Sequence, residues 1–335
     1  MTESAEDLSG QQGQGSVPGD LDLPGFFRAS DAASRAGQRR RVRTVAIILV
    51  LTVLAAISGT FTFKVTSKHI DVGGVISGLT FLIALGCSIY LLLTKPERDW
   101  YEGRAGAESA RTLAWLYMVG GDPFGVASCA DPDDELINRL EIIAKQLREL
   151  ALSPEETGTQ ITDAMRAIRG SSLGERKATY LRGRIDDQLG WYKKKAAFNK
   201  RQEKFWLGLT LVLQGYGLAV AFARVFNVLN FDLLGVVAAA VAATAAWIEA
   251  KDHATLGSAY GITATDLWMA RERALMLANN SSEPAWSNFV ETAELAISRE
   301  HTLWLARGGV HWDSPFRSNG QIWRTPPASP AEDHR

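Results

Sequence analysis

The sequence predicts an all-α membrane protein: four transmembrane helices in two hairpins, with a cytoplasmic helical stalk or bundle. Three observations carry this. Apolar residues gather in four blocks, at 44–63, 72–93, 205–226 and 231–249, each close to the roughly 20 residues that cross a hydrocarbon core of about 30 Å. The net charge is only −1, so no global field favours nucleic acid, and the basic residues cluster beside the blocks instead. Between the hairpins, apolar residues recur at steps of three and four, the period of helices with one buried face.

Orientation follows from the basic clusters. Arg39, Arg40, Arg41 and Arg43 precede the first block, Lys95 and Arg98 follow the second, and Lys193, Lys194, Lys195, Lys200, Arg201 and Lys204 precede the third. The first hairpin turn carries only Lys64 and Lys68, and the second has no Lys or Arg. By the positive-inside rule both termini and the long middle are expected in the cytoplasm, with the chain multi-pass in its membrane. About forty mostly polar residues precede the first block, so it reads as an anchor rather than a cleavable leader.

Residues 1–29 form an expected flexible tail, Gly- and Gln-rich and without periodicity up to the Phe26–Phe27 pair. A first two-span unit covers 30–120. Gly74 and Gly78 open its second span four residues apart, a spacing that lets another helix approach closely. Trp100, Arg104, Glu108, Arg111 and Trp115 then share one helical face. Glu108 is placed to meet Arg104 and Arg111 in a stalk ion-pair network, and an interfacial helix with anchoring tryptophans fits the same spacing.

A second unit covers 131–308. Asp131-Pro132 starts a helix with a cap and acids at its positive end, and Leu136, Leu140, Ile143, Leu147 and Leu150 form its apolar stripe. Ser153 to Glu156 reads as a capping box for a helix turning Ile161, Met165 and Ile168 inward, and Ser172 with Glu175 opens another. From about 173 the pattern continues unbroken into the third span, and the fourth runs on through Lys251 into a helix expected antiparallel to the stalk. Trp286, Val290, Ala293, Ile297, Glu300 and Trp304 line a last helix, before an expected disordered tail at 309–335. Two spans followed by a helix bearing Trp and Arg occur twice, which points to a degenerate duplication.

Searches for chemistry return little. The five histidines stand at no ligand spacing, Cys87 and Cys129 make neither a disulfide framework nor a metal site, and no phosphate loop or nucleophile elbow is present. The chain is expected to be no enzyme, with no catalytic residue, cofactor or metal. One stripe stands out. Glu203, Thr210, Gly217 and Arg224 recur every seven residues along the third span, with Gln214 on the same face. Gln214 reads either as an interhelical hydrogen-bonding group or as part of a pore wall together with Thr210, Gly217 and Arg224. Gly235, Ala239 and Ala243 on the fourth span give a small face for close helix packing.

Three segments, WYEGRAGAESARTLAW after the second span, WYKKKAAFNKRQEKFW before the third and AELAISREHTLWLARGG near the end, resemble the bacterial SLATT family of two-transmembrane effector domains, here as two copies in tandem. The resemblance implies a membrane effector of a bacterial conflict system that forms pores on a signal from a nucleotide-dependent sensor. No such sensor is recognisable within this chain, so a separately encoded one is implied. The leading expectation is a homo-oligomer that opens a pore or disrupts the bilayer. The alternative is a membrane-anchored adaptor or sensor whose stalk binds a protein partner.

Overall fold

The computed structural model describes residues 17–60, 64–65, 70–147, 158–226, 233–278 and 282–307. Four helical stretches among them are long and apolar enough to cross a membrane: Gly25–Thr60, Val72–Thr94, Leu173–Val225 and Leu233–Leu277. Their apolar side chains, Leu82, Leu92, Leu93, Leu211 and Leu218 among them, are largely exposed. In water so large an apolar surface would drive association, so lipid is its proper surroundings.

Helix α1 (Gly25–Thr60) is the first span with a long amphipathic extension in front of it. A two-residue antiparallel ribbon, β1 (Lys64–Val65) with β2 (Ile70–Asp71), closes the hairpin. It is the one addition to the all-helical expectation, and it forms because the turn brings two short extended ends together. Asp71 accepts from the Gly73 N–H and so caps α2 (Val72–Thr94). Lys95, at φ 41°, ends that helix, and Pro96 at the first position starts α3 (Pro96–Val119).

Helices α4 (Pro132–Gln146), α5 (Asp163–Arg169) and α6 (Leu173–Tyr180) wrap around α3. Asp131 and Ser172 cap α4 and α6, as their sequence signatures predict. The start of α5 differs. The expected box at Ser153 to Glu156 lies outside the described residues, and the Thr162 hydroxyl, accepting from the Met165 N–H, sets the helix to begin at Asp163. Gly158, at φ 40°, belongs to the loop before it.

A π-helical turn (Leu181–Asp186) joins α6 to α7 (Asp187–Val225), which runs 39 residues without a break into the third span. After α8 (Leu233–Lys251), Asp252 at φ 44° turns the chain into α9 (His253–Ala278), and α10 (Glu283–Arg307) follows. Lys95 and Asp252 are the only non-glycine residues with positive φ among those described, and each stands between the second span of a hairpin and its return helix.

The helices outside the spans share one apolar core, in which Leu113, Leu116, Met118, Tyr180, Ile185, Trp286 and Val290 are fully or almost fully buried. Of the two forms expected outside the spans, stalk or bundle, this is a bundle. The N-terminal boundary is corrected: Phe26 and Phe27, placed in a flexible tail by the sequence, are buried in that core at the start of α1. The Arg111 guanidinium lies 4.6 Å from the Phe27 ring centroid, a cation–π contact that a polar tail gives no reason to expect. Residues 1–16 and the C-terminal tail lie outside the described residues, as does the second hairpin turn.

The spans are arranged in an open row. α2 packs on α1, α1 on α8, and α8 on α7, so α2 and α7 are the ends.

Candidate functional site

The ionisable stripe on α3 sits where α3 meets the N-terminal segment and the π-helical turn. Arg104 Nη2 lies 2.9 Å and Arg111 Nη1 3.7 Å from Glu108 Oε1, and Arg111 Nη2 reaches Asp20 Oδ1 at 3.2 Å. All four are at least partly exposed, so these pairs orient the segment more than they stabilise it.

One turn further along, Thr112 opens onto a fully buried polar node. Glu294 on α10 accepts from the Thr112 hydroxyl at 2.9 Å and the Tyr180 hydroxyl at 3.0 Å. It also accepts from Arg184 Nε at 2.9 Å and Nη2 at 2.7 Å. The Arg184 and Glu294 side chains are each 1% exposed. Burial presses the Arg184 guanidinium toward the neutral form, but the Glu294 carboxylate outweighs it and raises the pKa. Burial and the same carboxylate push the Tyr180 phenol well above its ordinary range. With four donors on its two oxygens, Glu294 is a clamp rather than an acid or a base.

The π-helical turn makes this geometry available. Its wider winding carries both Arg184 and Ile185 inward on the approach to α7. Gly183 lets it close: a Cβ there would lie 2.6 Å from Val17 Cγ1 and 2.8 Å from Trp115 Cη2. Below it, Arg169 donates to the carbonyls of Tyr117 and Phe124, and Arg176 and the Trp286 indole both donate to the Val119 carbonyl. The Tyr117 and Val119 carbonyls are at the negative end of α3, and the Phe124 carbonyl is in the loop that follows. Arg176 also pairs with Glu283. None of these partners was legible in the sequence, where Arg184 and Glu294 stand 110 residues apart.

Within the spans, the polar stripe divides. Thr210 donates back to the Trp206 carbonyl at 2.9 Å, and Gly217 faces Val237 of α8. Gln214 and Arg224 are exposed, and Gln214 has no hydrogen-bond partner among the described residues. The residues expected to pack closely do so little within one chain. Gly78 and Gly235 have open space where a side chain would be, a Cβ on Gly74 would meet Asp71 first, at 3.4 Å, and Ala239 and Ala243 are half-buried.

Close approach occurs elsewhere, between α1 and α3. A Cβ on Gly37 would lie 2.7 Å from the Pro96 carbonyl oxygen, and one on Gly103 2.7 Å from the Ser30 oxygen and the Ser34 nitrogen. The signal was present as small residues at Ser30, Ser34 and Gly37, spaced by four and three. An open apolar groove of about 430 Å³ lies between α1 and α7 over α8. Among the described residues no cluster of side chains is suited to a metal ion.

Two family models match the chain in tandem. One, described as SMODS and SLOG-associating 2TM effector domain 3, covers residues 24–177, and the other, SMODS and SLOG-associating 2TM effector domain 1, covers residues 180–304. No curated protein and no solved structure matches it. The first match takes in α4, α5 and most of α6, and the join falls just ahead of the π-helical turn. The buried node therefore crosses it, with Thr112 on one side and Tyr180, Arg184 and Glu294 on the other.

Proposed function

Because the chain belongs to the SLATT family of two-transmembrane effector domains, carrying two of them in tandem, we propose that this membrane effector assembles from several copies into an ion-conducting pore. The signal reaches it through its cytoplasmic helices, from a separately encoded sensor in a bacterial conflict system. No chemical step is involved.

The observation that carries this reading is Gln214, exposed in mid-span on the end helix of an open row. An amide left in hydrocarbon without a partner costs about 4–8 kcal/mol on the cyclohexane reference. Water or the polar groups of another copy remove that cost, and a pore wall supplies both. The same face carries Thr210 and, near its far end, Arg224. Coupling is mechanical: α7, one unbroken helix of 39 residues, joins the π-helical turn to Gln214 over about 40 Å at 1.5 Å per residue.

Purified protein in liposomes tests this by ion flux, and Gln214→Leu is expected to lower the flux at least about ten-fold at unchanged insertion, since an apolar wall dewets. Impermeable vesicles at high, correctly inserted protein density would rule the reading out. The adaptor reading draws on α9, which exposes Ile262, Trp268, Met269 and Met276 outside the spans. It expects no flux together with a stable co-purifying protein.

A further inference from the structure

The π-helical turn and the first residues of α7 form one wall of a cleft of about 290 Å³, and Val17, Leu23 and Trp115 contribute an apolar wall beside it. At about 30 Å³ per molecule of liquid water, that is room for a small organic molecule rather than a single water. We propose that the cleft binds a free α-amino acid as its zwitterion, with the carboxylate on Arg184 and Arg182 and the ammonium on Asp187. The proposal concerns binding and stands whether or not the spans conduct.

Arg184 carries the argument. Its Nε and Nη2 are turned to Glu294 and Thr112, which leaves the edge at Nη1, and Nη1 is buried without a hydrogen-bond partner among the described residues. Native folds rarely leave a buried donor unmade, least of all a charged one. Arg184 lines the cleft, so an acceptor held there supplies what Nη1 lacks. Arg182 lines it too, and among the described residues its one bond runs from Nε to the Ala178 carbonyl at 3.3 Å. A carboxylate is the acceptor that guanidinium donors match best.

The charges decide between a plain anion and a zwitterion. Arg104 and Arg111 are answered by Glu108 and Asp20, and Arg184 by Glu294. Arg182 and Asp187 remain, both lining the cleft, and the Asp187 carboxylate accepts only from Gln188 Nε2 at 3.2 Å among the described residues. Four cations thus face four carboxylates, and Arg28 and Asp22 just beyond cancel as well. A neutral site suits a neutral ligand, whereas a simple anion would leave its charge unbalanced and Asp187 unanswered.

The π-helical winding assembles the pair. Five residues apart on an α-helix, Arg182 and Asp187 would point about 140° away from each other at 3.6 residues per turn, yet both face the same cleft. The extra residue in the turn accounts for this. The apolar wall is left for the ligand's own side chain. Asp187 and Gln188 open α7, so a bound amino acid bears on the helix that enters the membrane.

Isothermal titration calorimetry of the full chain in detergent tests the proposal, with L-leucine, L-methionine and L-phenylalanine as probes. At least one is expected to bind. Its analogues without the amino group or without the carboxylate, which for leucine are 4-methylpentanoate and 3-methylbutylamine, are expected to bind at least about ten-fold more weakly. Asp187→Asn and Arg182→Gln, both at exposed positions, are each expected to weaken the amino acid at least about ten-fold, and Lys193→Gln, exposed outside the cleft, to leave it unchanged. Arg184→Lys keeps a cation for Glu294 without the second guanidinium edge, and it too is expected to lose binding. Circular dichroism checks that each variant keeps its helices, and the two exposed replacements decide the matter if Arg184→Lys misfolds. Absence of binding by all three amino acids overturns the proposal. So does an analogue lacking the amino group, or inorganic phosphate, binding as tightly as the amino acid, which marks a plain anion site. Unchanged affinity in Asp187→Asn overturns it too, because the ligand then sits elsewhere.

Discussion

In the first hairpin unit, α1 and α3 approach until a Cβ on Gly103 would lie 2.7 Å from two backbone atoms, while in the second the nearest neighbour to a Cβ on Gly257 is 3.5 Å away. The plan is otherwise shared: a long entering helix, two spans, a left-handed residue at Lys95 or Asp252, and a return helix packed on the entering one. The wider joint is filled with rings. Trp191, Tyr192 and Tyr260 meet at centroid distances of 4.9 to 5.7 Å, and His253 Nδ1 lies 2.7 Å from Asn199 Oδ1.

The surroundings differ too. α3 is buried along most of its length by α4, α5, α6 and α10, whereas α9 keeps an exposed apolar face. One duplicated plan thus yields a tight scaffold and a looser, more exposed partner, because backbone-to-backbone packing holds one spacing and ring-on-ring contact accommodates several.

The largest expected effect comes from breaking the bolt between the two units. Glu294→Ala leaves the Arg184 charge buried without its partner and is expected to destabilise the fold by about 3–5 kcal/mol. Chemical denaturation in detergent reads it. The double replacement Arg184→Met with Glu294→Met is expected to recover most of the loss, since a buried pair exchanged for apolar volume is often neutral. If the single variant is as stable as the wild type, the node does not join the units.

A smaller effect separates the two joints directly. Gly103→Ala is expected to cost about 1–3 kcal/mol through overpacking against α1. Gly257→Ala meets only ordinary contacts and is expected to be neutral or stabilising by up to about 1 kcal/mol, the helical preference for alanine. Equal thermal shifts for the two variants would erase the contrast.

The smallest effect is in pH. Asn199 Nδ2 donates to the Lys195 carbonyl, which turns its oxygen toward His253 and makes the imidazole Nδ1–H the donor. Burial, helped by nearby Lys251, lowers the His253 pKa. An imidazole depressed in the folded state adds stability above its unfolded value, about 6.5, and that stability is lost as pH falls through the lower folded value. The second joint is therefore expected to loosen on acidification below about 6.5, whereas Pro96, after Lys95 in the first unit, does not titrate. Hydrogen exchange across α9 at stepped pH measures this, and His253→Asn is expected to remove the step.

Much of this was legible from one dimension. The four spans were readable because crossing a bilayer requires only a long apolar run, and Asp131 and Ser172 because a cap bonds to a backbone three residues away. The Arg104, Glu108 and Arg111 spacing was readable for the same local reason: helical neighbours at three and four residues meet wherever the helix lies.

Other features depended on the path of the chain. The burial of Phe26 and Phe27, the Arg184–Glu294 clamp, the approach at Gly103 and the groove at Ala243 each join segments far apart in sequence, so no local period records them. The π-helical turn is the sharpest case. A short segment that reads as ordinary helix from 173 onward takes one extra residue into its turn, and two adjacent side chains, Arg184 and Ile185, are both carried inward there. By itself the sequence determined which segments are helices and which of them enter the membrane, since both follow from near-neighbour bonding and transfer to hydrocarbon. Only the tertiary structure decided which helices touch, because contact between distant segments is a property of the whole packed core.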